Sequence, residues 1–115
     1  MKRLMTEARI IIPLAVPPDA TRAAELAMER LFGGFTRYNA TGSYLADNGE
    51  TVRELVTIYD IATPIDRHVD VVFARDKLQD IARDLLATGQ ECIYIRLPNG
   101  AVELFDGTDS PDPVA

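Results

Sequence analysis

The stretch from Thr51 to Thr63 constrains this chain more than any other, because it is apolar on both faces of an extended backbone. Val52, Val56 and Ile58 fall on one side and Leu55, Tyr59 and Ile61 on the other. A strand of that kind belongs inside a sheet, with neighbours on both edges. The residues just before it, Asp47-Asn48-Gly49-Glu50, tolerate the positive φ of a tight turn. The segment from Phe35 to Ala46, with β-formers Phe35, Thr36, Tyr38, Thr41 and Tyr44, therefore reads as its hairpin partner.

The other elements follow from punctuation and period. Ala8 to Val16 is rich in β-branched residues and reads as a strand, with Met1 to Glu7 as a frayed lead-in. Pro13 conflicts with a place for that strand inside a sheet, since proline has no N–H to donate. After Pro17-Pro18, Asp19 or Thr21 is expected to cap a helix over about 20–32. Its apolar stripe is Ala24, Ala27, Met28, Leu31 and Phe32, opposite Arg22, Glu25, Glu29 and Arg30, and Gly33-Gly34 stops it. Thr63-Pro64 suits a cap and first helical position, while the Val-rich residues 65–73 fit helix or strand. Helical spacing from Val71 predicts a second helix covering at least Arg75 to Thr88, with Asp76, Asp80 and Asp84 outward and Gly89 as its stop. Cys92 to Leu97 alternates as a strand, Pro98-Asn99-Gly100 turns it, and Ala101 to Phe105 returns.

That order predicts an α+β class and, within it, a ferredoxin-like βαββαβ sandwich: two helices on one face of a mainly antiparallel sheet, plus a short C-terminal strand. Residues 1–105 form the single domain that 115 residues allow, and 106–115 read as a disordered acidic tail. The reverse face of the sheet is then left for a partner or ligand.

Charge narrows the function. The net charge is −6, and it is unevenly divided: residues 1–37 carry six basic and four acidic groups, residues 38–115 six and fourteen. Direct nucleic-acid binding and attraction to anionic lipid are disfavoured, whereas a basic protein partner is compatible. The longest apolar run, Ile10 to Val16, is too short to span a membrane and contains Pro13. The lone cysteine, Cys92, excludes an internal disulfide and fits a cytoplasmic location.

Three groups of residues could carry chemistry. Tyr38, Tyr44, Tyr59 and Tyr94 join apolar area to a polar handle, and Tyr94 shares one strand face with Arg96 and Cys92. These four tyrosines and Arg96 form the expected ligand or partner surface. His68, between Asp66 and Asp70, and Glu54, in the middle of an apolar strand, are the acid/base candidates. Structural alternatives stand beside each: a solvated loop at His68, an ion pair or edge charge at Glu54, an inert thiol at Cys92. Asp66, His68 and Asp70 would share one face of an extended segment and could then ligate a divalent metal, but the solvated loop is the better reading, and no metal or cofactor is expected.

Gly33-Gly34-Phe35-Thr36 through Gly42-Ser43-Tyr44, then Glu54, then Gly89-Gln90-Glu91-Cys92-Ile93 resembles a group of small uncharacterised bacterial and phage proteins with a ferredoxin-like fold. The resemblance covers about residues 8–105. It implies the fold and no reaction, cofactor or catalytic residue. On this reading the chain is a non-enzymatic binding module acting through the open sheet face, expected as a homodimer or on a small ligand. One alternative is an acidic inhibitor of phage or plasmid type that mimics nucleic acid toward a basic protein. A further one is a small isomerase or oxygenase-like enzyme, with His68 or Glu54 in a pocket between sheet and helices.

Overall fold

The computed structural model describes residues 4–64 and 68–108. Seven elements follow in the order β1 (Met5–Pro13), α1 (Pro18–Phe32), β2 (Thr36–Leu45), β3 (Thr51–Pro64), α2 (His68–Leu86), β4 (Ile93–Arg96) and β5 (Val102–Phe105). They form an α+β fold with one five-stranded antiparallel sheet in the order β2-β3-β1-β4-β5. Each helix carries the chain over one intervening strand: α1 from β1 past β3 to β2, and α2 from β3 past β1 to β4.

Both helices lie on the same side. Ala8, Ile10 and Ile12 of β1, Tyr59 and Ile61 of β3, Ile93 and Ile95 of β4 and Phe105 of β5 pack in one buried cluster with Ala24 and Met28 of α1 and Val71, Leu78, Ile81, Ala82 and Leu85 of α2. The alternate residues of those strands face the opposite way, and no described element covers them. The two helices meet edge to face through Phe32 and Phe73, ring centroids 6.2 Å apart.

Pro13 is accommodated because it is the last residue of β1. The β1–β4 ladder ends at Ile11 opposite Tyr94, so no partner on that edge needs the N–H that proline lacks. On the other edge pairing continues to Pro13 opposite Val56, and the Leu14 amide then donates to the Leu55 carbonyl at 2.9 Å.

Several boundaries differ from the sequence expectation. β1 begins at Met5 rather than Ala8, since residues 5–7 pair with residues 62–64 of β3 and gain a complete ladder there. Thr63 and Pro64 end that strand instead of opening a helix. Neither Asp19 nor Thr21 caps α1: Pro17 occupies the cap without a side-chain bond, and Pro18 starts the helix where a missing N–H is harmless. Residues 68–73 are helical, and the first residues of the ambiguous segment, 65–67, lie outside those described. Of the expected tail, Asp106 accepts from the Thr108 amide and hydroxyl, which closes a turn, and 109–115 fall outside the described residues. No helix among the described residues is long and apolar enough to cross a membrane.

Gly33 ends α1 at φ +90°, and its amide returns to the Glu29 carbonyl at 3.0 Å. A methyl group there would meet nothing within 4 Å, so Gly33→Ala isolates the backbone effect. It should cost about 1 kcal/mol, read as a lower chemical-denaturation midpoint with an unchanged slope.

Candidate functional site

The exposed sheet face has a cavity at one end. Its volume is about 450 Å³, within the range of roughly 300–1,000 Å³ usual for small-ligand sites. It exists because β4 is short. Pairing with β1 stops at Tyr94, so Ile11 and Pro13 continue uncovered beside Val56, and the segment from Gly89 to Cys92 passes over that end of the sheet. Ile11, Pro13, Val56 and Leu104 give apolar walls, while Tyr44, Glu54, Glu91, Cys92 and Tyr94 supply the polar atoms.

Strand register explains how distant residues converge. Ile11 lies opposite Tyr94, Tyr94 opposite Leu104, Pro13 opposite Val56 and Gly42 opposite Glu54, so all project to one face. Tyr44 is two residues beyond Gly42 on that face. Glycine at position 42 places no side chain over Glu54, which leaves the carboxylate open to the cavity. Glu54 and Tyr94 are partly buried, and Tyr44 is exposed.

Cys92 stands at the rim. Partial burial of its thiol, followed by the charges of Glu91, Glu54 and Asp106, pushes its pKa up. The thiol therefore stays protonated near neutral pH and is not an activated nucleophile. The same three carboxylates show that this end of the face is electronegative.

The other end of the face is a polar cluster around Asp60. Arg9 donates to it through Nε at 2.6 Å and Nη2 at 3.3 Å, and the Tyr38 hydroxyl donates at 2.9 Å. Arg9 holds the Asp60 carboxyl below the usual range against the opposing effect of burial, and Tyr38 and Arg96 act in the same direction. Arg96 lies directly across the strand pair from Arg9.

The tyrosines thus separate. Tyr44 and Tyr94 line the cavity, Tyr38 belongs to the Asp60 cluster, and Tyr59 has no surface at all. Tyr59 is 0% exposed on the helix side of β3, where its ring stacks edge to face on Phe35 and its hydroxyl donates to Glu25 at 2.7 Å. Glu25, expected on the outer face of α1, is buried at 5% exposure and also receives Arg37. Glu54 opens onto the uncovered face, not onto a pocket between sheet and helices. His68 is the first residue of α2, but its side chain and those of residues 65–67 lie outside the described residues. Among the described residues no group of three or more His, Cys, Asp and Glu side chains is placed to hold a metal ion.

The class defined by these features is an α+β domain with two helices on one face of an antiparallel sheet and a ligand-sized cavity on the other. No family of known proteins and no curated protein matches the chain. Among solved structures it is similar to a phage SAM lyase in complex with S-methyl-5'-thioadenosine, at a TM-score of 0.61 and 19% identity, covering 90% of this chain and 90% of that one. At that identity the likeness is one of fold.

It nevertheless corrects the expectation of a non-enzymatic module, because nearly the whole length of the domain matches a fold that carries a lyase. Of the carboxylates that the acidic-inhibitor reading would gather on one surface, Glu25, Asp60, Asp76 and Asp80 each pair with an arginine.

Proposed function

We propose that the cavity binds an adenosyl sulfonium compound and promotes cleavage of its bond between sulfur and the amino-acid chain, releasing the thioether nucleoside. The observation that carries this reading is Glu54, partly buried between Tyr44 and Tyr94 in a cavity of about 450 Å³ with apolar walls. A carboxylate and two aromatic faces suit a sulfonium cation, and the same rings offer surfaces on which a purine can stack. The ligand in the structurally similar lyase, S-methyl-5'-thioadenosine, is a thioether nucleoside of the kind this cleavage releases.

The chemistry asks little of the protein. The electron pair of the breaking bond returns to sulfur, and the leaving group is a neutral thioether that needs no proton donor. The remaining valence on carbon is satisfied within the amino-acid fragment, either by a new bond from its own carboxylate oxygen, which closes a ring, or by a double bond formed as the adjacent proton passes to solvent. No water and no second substrate are consumed. Because the charge on sulfur disappears as the bond stretches, the apolar walls of Ile11, Pro13, Val56 and Leu104 disfavour the ground state more than the transition state.

The strand order β2-β3-β1-β4, with each helix crossing one strand on a common face, supports reading the fold as ferredoxin-like with β5 added at the edge.

Incubation of the purified chain with SAM tests the activity. The expected result is accumulation of S-methyl-5'-thioadenosine, followed by chromatography and mass spectrometry, with the mass of the second product distinguishing ring closure from proton loss. Absence of the thioether together with absence of any thermal shift by either compound would overturn the proposal.

A further inference from the structure

The cavity on the uncovered face holds two carboxylates, and the described residues that line it include no lysine, arginine or histidine. Glu54 enters from β3, and Glu91 enters from the segment that follows Gly89. Both act on the same space, since the Cys92 thiol at the rim feels Glu91, Glu54 and Asp106 together. Among the described residues neither Glu54 nor Glu91 makes an ion pair.

The basic groups of that face are engaged elsewhere. Arg96, Arg9 and Asp60 stand level with one another in the register. Asp60 is six residues along β3 from Glu54, roughly 20 Å at the rise of a strand. Both arginines act on Asp60. Arg53, the neighbour of Glu54 in sequence, falls on the opposite face by the alternation of β3.

An adenosyl sulfonium with an amino-acid chain bears three charges: the sulfur cation, an ammonium three carbons away, and a carboxylate on the same carbon as the ammonium. The cavity offers a partner to each cation and none to the anion. Glu54, between two aromatic rings, suits the sulfonium, which leaves Glu91 for the ammonium. A third carboxylate brought beside these two is repelled.

We infer that the cavity selects the cationic part of the chain, and that the ligand it holds most tightly is an adenosyl sulfonium amine, with an aminopropyl chain and no carboxylate. The inference rests on the reading of the cavity given above and names the charge pattern that the same site prefers. In SAM itself the carboxylate is left unheld, free to turn toward the carbon attached to sulfur, as ring closure requires.

Calorimetric titration of the full chain with decarboxylated SAM, SAM and S-methyl-5'-thioadenosine tests this, in wild type and in Glu91→Gln. Wild type should bind the decarboxylated compound about 5- to 30-fold more tightly than SAM. Glu91→Gln should weaken the decarboxylated compound about 3- to 10-fold and leave the thioether within about twofold. SAM should stay within about threefold, because the lost attraction for its ammonium is offset by relief of its carboxylate. Glu91 is exposed, so the variant should melt with wild type. SAM bound as tightly as the decarboxylated compound overturns this inference alone. So does a Glu91→Gln variant that leaves the decarboxylated compound unchanged or weakens all three alike. A wild-type chain that binds none of the three overturns the reading of the cavity, and this inference with it.

Discussion

Glu54→Gln is expected to weaken SAM by about 10- to 100-fold while leaving S-methyl-5'-thioadenosine within about twofold, and to reduce thioether release in proportion. The two ligands differ at sulfur, where one is a cation and the other is neutral, so the comparison isolates the charge that Glu54 supplies. Glutamine keeps the volume and the hydrogen-bonding capacity of the side chain, and the position is only partly buried, so the fold should be unaffected. Gly42 opposite leaves the amide as free as the carboxylate it replaces. Tyr44→Ala should weaken both ligands together, because a stacking surface serves the nucleoside in either form. A Glu54→Gln variant that binds the two compounds as wild type does would remove Glu54 from the site, whatever the activity assay reports.

The elements of this fold were legible from the sequence because local rules decide them. Two-residue alternation marked β3 as a central strand, glycines marked the ends of both helices, and the turn at Asp47 to Glu50 set the β2–β3 hairpin. The polar site was less legible, because it depends on register between strands far apart in the chain. Tyr44, Glu54 and Tyr94 stood out individually as an aromatic, an isolated carboxylate and another aromatic, but only the pairing of β1 with both β3 and β4 brings them to one cavity. Asp60 and Arg9 were not singled out, although a charge flanked by apolar residues in each of two strands is the signal of a cross-strand pair. Tyr59 was misplaced for a related reason. Its residue type suits a wet surface, yet its position in the alternation shared with Ile61 puts it under the helices, and that alternation decides. Glu25 misled in the same way: helical period set it opposite the apolar stripe, whereas Arg37 and Tyr59, both outside α1, draw it inward.

Removing the Glu25 carboxylate should therefore be among the most destabilising polar changes in the chain. Glu25→Leu leaves the fully buried Tyr59 hydroxyl without its acceptor, which costs about 2 kcal/mol. The arginines contribute less to that figure, since Arg37 and Arg22 are both more than half exposed and can be rehydrated. Tyr59→Phe alone should cost about 1 kcal/mol, because Glu25 retains Arg37. Combined, the two substitutions should cost less than their sum, since an apolar pair leaves no orphaned group; additive losses in chemical denaturation would show that the hydrogen bond is not the coupling. The same pair sets an alkaline limit. Burial, reinforced by the neighbouring Glu25 carboxylate, pushes the Tyr59 hydroxyl up to about 12 from an ordinary 10.0. A group whose pKa rises on folding contributes stability that is complete below its unfolded value and is lost as the pH climbs through its folded one. Wild type should accordingly lose stability between about pH 10 and pH 12, followed by circular dichroism alongside tyrosinate absorbance, and Tyr59→Phe should flatten that decline. A decline of equal depth in Tyr59→Phe would place the alkaline transition at another group.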